Sequence, residues 1–194
     1  IPEEDIEKCK KVIIDLGFNP VIGKSLYENY GGYMAGKAEI RVEDLHEAFS
    51  RKDIKGIFCV KGGYSASQLL DKIDYKLIKN NPKVFVGYSD VTNLHIVFNQ
   101  KCNLGTYHGP MVKSNMINDF NDYTKTSFFE AMEKNVTKYE EPENMPLSIL
   151  TEGNVSSEAI NGVLTGGNMA IIVTTLGTQY EIDTKDKILF LEDV

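Results

Sequence analysis

The segment Gly87-Tyr88-Ser89-Asp90 joins an apolar, β-branched run, Lys83-Val84-Phe85-Val86, to a helical pattern running from Val91 to about Gln100. Such a strand-to-helix turn sits at the carboxyl edge of a parallel sheet, where doubly wound folds bind their ligands. A serine there exposes its hydroxyl on a sharp bend. The helix behind it offers unpaired backbone N–H groups and the positive end of its dipole. Together these suit a nucleophile whose attack creates an oxyanion. Gly87 keeps the approach to the turn uncrowded. A simpler role also fits, because Ser and Asp are favoured helix N-caps, and Val91 replaces the final glycine of a G-x-S-x-G elbow. The local pattern leaves both readings open.

A second edge loop, Lys61-Gly62-Gly63-Tyr64-Ser65, comes after another buried-strand pattern that ends in Ile57-Phe58-Cys59-Val60. Adjacent glycines let the backbone approach a ligand and point N–H groups at an anion. An ordinary βα turn explains them as well. Neither G-x-x-x-x-G-K-[ST] nor G-x-G-x-x-G is present, and Gly166-Gly167-Asn168 reads as a turn leading into a helix. Of the three histidines, His46 lies on an acidic helix face with Glu43, Asp44 and Glu47. His95 is carried away from the Ser89 turn by its helix. His108 follows a short strand and could lie near an edge site, but it reads sooner as a satisfied structural histidine. None is assigned as the base that a serine nucleophile needs. No histidine pair has metal-ligand spacing. Cys59, in mid-strand, reads as inert packing.

These loops need elements to hold them. Helical spacing of Ile6, Cys9, Val12, Ile13 and Leu16 predicts a helix from about Pro2 to Leu16, closed by Gly17. A short strand is expected at Asn19-Pro20-Val21-Ile22, and a Tyr- and Gly-rich loop over Tyr27–Met34. Helices are expected near Lys37–Ser50, from Ala66 to Leu70 or Ile73, and over Asn115–Lys138. Strands are expected at Leu104–Tyr107 and Lys187–Leu191, and an apolar helix over Asn168–Thr175. Alternating strands and helices predict an α/β fold: a doubly wound, mainly parallel sheet in an N-terminal domain, then the beginning of a second α/β domain with mixed strands. The expected boundaries are 1–137 for the domain carrying Ser89, 138–157 for a linker, and 158–194 for the start of a truncated C-terminal domain.

The composition bounds the partners. A formal charge of −7 across 194 residues argues against nucleic acid, whose binding rests on clustered Lys and Arg. No apolar run approaches membrane-spanning length. An odd number of cysteines, Cys9, Cys59 and Cys102, without a C-x-x-C pair, favours a reducing compartment.

The ordered set Lys61-Gly62-Gly63-Tyr64, Asn81-Pro82-Lys83, Gly87-Tyr88-Ser89-Asp90-Val91-Thr92-Asn93-Leu94-His95, His108-Gly109-Pro110-Met111, Gly166-Gly167-Asn168 and Leu191-Glu192-Asp193-Val194 resembles the LD-carboxypeptidases. Ala35-Gly36 and the stretch Arg41 to Phe49 share the likeness, which covers nearly the whole chain. The resemblance implies a serine peptidase with a Ser-Glu-His triad. Ser89 matches the nucleophile, Glu192 the acid that orients the histidine, and the N–H groups of Gly63 and Asp90 the oxyanion hole. Gly62 and Tyr64 become candidate substrate contacts. The family histidine falls beyond Val194, so no residue here is assigned to it, and these 194 residues alone are expected to have little or no activity. Lys61 stands where relatives commonly have Arg, and Ser65 where they commonly have Gly.

A cytoplasmic bacterial hydrolase that uses neither a metal nor an organic cofactor is the activity this resemblance implies. It would remove a terminal D-amino acid from murein tetrapeptides in cell-wall recycling, with a small muropeptide as its partner. A homodimer is left open. Two other readings stand beside it: a self-immunity hydrolase of peptide–nucleotide antibiotics, and a non-catalytic α/β module that binds a small ligand.

Overall fold

The computed structural model describes residues 1–133, 148, 150 and 160–193. Most of the linker expected at 138–157 lies outside these residues, as does the end of the helix expected over Asn115–Lys138. The first helix, α1, spans Glu3–Asp15, with three acidic residues in its first turn and Ile6, Cys9 and Ile13 buried. The acidic turn faces the positive end of the helix dipole. Asn19–Ile22 forms no strand and leads into a 3₁₀ turn at Lys24–Tyr27. The next helix, α2, is Ala38–Ser50.

Beyond α2 lie three parallel strands: β1 (Gly56–Phe58), β2 (Val84–Gly87) and β3 (Tyr107–His108), in the order β1-β2-β3. Val86 lies opposite Tyr107, and Gly87 opposite His108. Between β1 and β2 come a 3₁₀ segment at Ala66–Lys72 and a short helix, α3 (Tyr75–Asn80). The helix between β2 and β3 is α4 (Thr92–Cys102), entered through a 3₁₀ turn at Ser89–Val91. Beyond β3 the chain makes a π-turn at Val112–Met116 and forms α5 (Asp122–Glu133).

Side chains of β2 alternate between two cores, as the period of a strand dictates. Phe85 packs with Phe49, Ile78, Leu94 and Phe98 from α2, α3 and α4. Val86 packs on the other face with Cys9, Ile13, Val112, Met116 and Phe128. Helices therefore cover both faces of a parallel sheet, the doubly wound arrangement that the alternation of elements predicts.

The second sheet pairs β4 (Val163–Asn168) with β5 (Lys187–Glu192) in parallel, separated by α6 (Met169–Val173). It is tied to the first sheet through α4. Ile96 of that helix packs against Ile172 and Ile182, and the Asn168 N–H donates to Thr92 Oγ1 at 3.0 Å. Among the described residues, no helix is long and apolar enough to cross a membrane.

Candidate active site

Ser89 lies two residues beyond the end of β2, and its backbone sits at φ 60°. The left-handed region is unfavourable for a side chain with a Cβ, and residues held there cluster at functional sites. Tyr88 occupies the cap position of the turn, and no side-chain cap hydrogen bond forms there. The capping reading of Ser89 is thereby corrected. A capping residue keeps extended backbone and accepts a bond from the helix start, whereas Ser89 is already inside the turn with its backbone bent the other way.

The preceding strand end is tightly fixed. Gly87 O accepts from Gly109 N at 3.0 Å and from His95 Nε2 at 2.8 Å. A carbonyl can only accept, so Nε2 carries the proton. Burial pulls the His95 pKa down to about 4, which makes the ring neutral at pH 7. Its Nδ1 then accepts from the Thr106 hydroxyl at 2.8 Å. His95 is a structural strut between β2, α4 and the chain entering β3. Gly87 has no room for a side chain, because a Cβ there would stand 2.9 Å from Val91 Cγ1 and 3.1 Å from Cys59 Cβ.

The Gly62-Gly63 loop lies directly against the Ser89 turn. A Cβ on Gly62 would fall 3.2 Å from both Cβ and Oγ of Ser89 and 3.6 Å from Asp90 N. One on Gly63 would stand 3.8 Å from Asp90 Oδ2. Among the described residues the Gly63 N–H has no hydrogen-bond partner. The two loops singled out from sequence thus meet at one sheet edge. Tyr64 is 87% exposed beside them.

The carboxylate of Asp90 is turned away from solvent. Its Oδ2 accepts from the N–H groups of Ser65 and Ala66, both at 2.9 Å. Sequence reasoning picked Asp90 for its backbone N–H and missed this side chain.

Glu192 reaches the same edge from the second sheet. It stands opposite Asn168 in register, and Asn168 is bonded to Thr92, three residues beyond Ser89. Gly167, at φ 138°, allows the approach: a Cβ there would be 2.6 Å from Thr92 Oγ1. Asn168 Nδ2 donates to Glu192 Oε2 at 3.4 Å, and its Oδ1 accepts from Ile171 N at the start of α6.

His108 Nε2 lies 3.9 Å from Glu192 Oε2, and the ring packs edge-on against Phe190 at 5.2 Å. Burial lowers its pKa against the opposing pull of Glu192. The ring is therefore neutral at pH 7, and the contact is not an ion pair. Among the described residues His108 Nδ1 is buried without a partner, so the reading of His108 as a satisfied histidine is corrected, and the edge position that its strand suggested is the one observed. Its pairing with Gly87 across the sheet was the signal that could have placed it.

A cleft of about 1490 Å³ runs along β1. It reaches Gly62, Gly63, Tyr64 and Asp90, but Ser89, His108 and Glu192 lie outside its walls. No group of three or more His, Cys, Asp or Glu residues among those described could hold a metal ion. Cys59 is half-buried, and burial pushes its thiol up to about 12, which suits packing and not nucleophilic use.

An LD-carboxypeptidase N-terminal domain model matches residues 1–109, and a C-terminal domain model of the same family matches residues 161–194. The chain belongs to the LD-carboxypeptidase family. It is 39% identical over 181 residues to a probable murein peptide carboxypeptidase of Bacillus subtilis (strain 168), an alignment covering 93% of this chain and 54% of that protein. It is 30% identical over 164 residues to a murein tetrapeptide carboxypeptidase of Pseudomonas aeruginosa, covering 84% of this chain and 53% of that protein. Among solved structures, the apo microcin C7 self-immunity protein MccF superposes with a TM-score of 0.81 at 25% identity, covering 97% of this chain and 63% of that one. The LD-carboxypeptidase chain described here spans about half the length of the curated relatives it matches.

Proposed function

We propose that this chain carries the nucleophile of a serine carboxypeptidase. The enzyme hydrolyses the bond between an L-centre and the terminal D-amino acid of a murein tetrapeptide, a cytoplasmic step of cell-wall recycling. The observation that carries the reading is Ser89 at φ 60°, with Gly62 packed against its side chain and Glu192 on the strand that docks through Asn168 onto the start of the same helix.

The chemistry is acyl transfer. Ser89 Oγ gives its proton to a histidine base oriented by Glu192 and attacks the scissile carbonyl carbon. The resulting oxyanion takes hydrogen bonds from the N–H groups of Gly63 and Asp90, which lie at the positive end of a helix. Collapse of the tetrahedral intermediate expels the D-amino acid, whose nitrogen takes the proton from the base. Water then hydrolyses the acyl-enzyme by the reverse sequence of proton transfers. The strained turn keeps the hydroxyl out of helix capping and on the open edge.

A second reading keeps the chemistry and changes the substrate. The likeness to the self-immunity protein MccF, one structure of which is a complex with aspartyl sulfamoyl adenosine, favours cleavage of an aminoacyl–nucleotide conjugate. One experiment separates these readings from a binding module. In the full-length protein, D-alanine release from a murein tetrapeptide is measured for wild type and Ser89→Ala, beside cleavage of an aminoacyl–nucleotide conjugate. We expect tetrapeptide turnover in wild type and a loss of at least about 10⁴-fold in the variant. Turnover of the conjugate alone selects the second reading. Undiminished turnover by Ser89→Ala refutes both.

A further inference from the structure

We propose that Arg41 and the carboxylate of Asp90 brace the Gly62-Gly63 loop against Ser89, with Ser65 as the residue they grip. The proposal rests on the reading of Ser89 as nucleophile and of the Gly63 N–H as an oxyanion donor. It assigns positioning roles that neither the turn nor the glycine pair implies.

Ser65 is held on every polar group. Its N–H donates to Asp90 Oδ2 at 2.9 Å. Its carbonyl accepts from Arg41 Nη1 at 3.3 Å, and its hydroxyl accepts from the same nitrogen at 2.8 Å. The other end of the guanidinium donates from Nη2 to Gln68 Oε1 at 3.1 Å. Arg41 projects from α2 and Asp90 from the Ser89 turn. The cation and the anion therefore meet through Ser65, and the loop is clamped between a helix and the nucleophile's own turn.

Burial argues that the clamp has a task besides stability. Asp90 is 6% exposed and Ser65 9%, and among the described residues Arg41 Nε is buried without a partner. Burial disfavours the guanidinium charge, and Asp90 and Glu39 support it. Burying a carboxylate and half-burying a guanidinium is costly, and apolar residues of similar volume commonly serve stability as well or better. What charged groups supply is direction. A loop with two adjacent glycines has wide backbone freedom, yet oxyanion donors must be held to a fraction of an ångström. The brace removes that freedom two residues from Gly63. The hydroxyl of Ser65 adds a second tie to Arg41 beside its carbonyl.

The test uses the full-length protein and the variants Arg41→Met, Arg41→Lys, Ser65→Ala and Arg41→Met/Ser65→Ala. D-alanine release gives kcat and KM, and hydrogen exchange reads the amides of residues 61–66. We expect Arg41→Met to lower kcat by about 10²-fold, to change KM by less than about threefold, and to speed exchange in the loop. Arg41→Lys should recover part of kcat. The double variant should lose no more than Arg41→Met alone, because both changes cut the same tie. Unchanged kcat and unchanged exchange in Arg41→Met overturn the brace, as does a loss of kcat matched by an equal loss of folded protein. If wild type releases no D-alanine, the functional reading fails. The exchange comparison then still decides whether Arg41 holds the loop.

Discussion

At Ser89 the backbone and the side chain have opposite interests. A serine at φ 60° carries strain of about 1–2 kcal/mol that a glycine would not feel. Ser89→Gly should therefore be as inactive as Ser89→Ala but about 1 kcal/mol more stable than it, since alanine keeps the strain and loses the hydroxyl. Urea unfolding of the two variants checks this. A Ser89→Ala protein as stable as Ser89→Gly would mean that the turn is not strained. This pairing of an exposed hydroxyl with a bent backbone was half legible in the sequence: the strand-to-helix turn was visible, but the sign of φ was not. Asp90 and Arg41 show why other contacts stay hidden. Ser65 is separated by 25 residues from Asp90 and by 24 from Arg41, and no periodicity reports contacts that the fold alone creates.

The element that sequence reading treated most wrongly is β4. Thr165-Gly166-Gly167-Asn168 has the composition of a turn, yet it is the buried end of a strand. Its glycines serve close approach, one of the few reasons for glycine in mid-strand. Gly166 passes so near Phe190 that a Cβ would lie 1.9 Å from its carbonyl oxygen. Gly167 faces Thr92, at the start of the nucleophile's helix. Gly167→Ala combines a φ of 138° with a clash at Thr92, so it should cost about 1–3 kcal/mol. It should also push β4, with Asn168 and Glu192, away from α4. Both a lower unfolding midpoint and a lower kcat are expected. Retention of full kcat in folded Gly167→Ala would separate the Thr92 contact from the placement of Glu192. Other misjudged elements have local causes. Asn19–Ile22 has strand-like residues but no neighbour to pair with. Helix α3, not foreseen, is announced only by Asp74, whose side chain accepts from Leu77 N.

On the scale of the whole molecule, α4 is the shared wall between the two sheets, and His95 is a buried titratable group on it. The ring is 7% exposed and bridges Gly87 O and Thr106 Oγ1. Desolvation is the largest cause of its low pKa, opposed by the bond to Gly87 and aided by neighbouring His108. In the unfolded chain the group titrates near 6.5, and in the folded protein near 4. Between these values the unfolded state binds a proton that the folded state refuses. Stability is then complete above pH 6.5, declines as pH falls through the window, and is independent of this group below pH 4. The decline amounts to about 3 kcal/mol at most. His108, also lowered by burial, adds to the fall with the same sign. A glutamine at position 95 can still donate to Gly87 O but carries no titration. His95→Gln should thus be less stable than wild type at pH 7 and lose clearly less between pH 6.5 and 4.5. Denaturant midpoints at the two pH values decide the matter: equal pH slopes for the two proteins would show that the buried ring does not set the acid response.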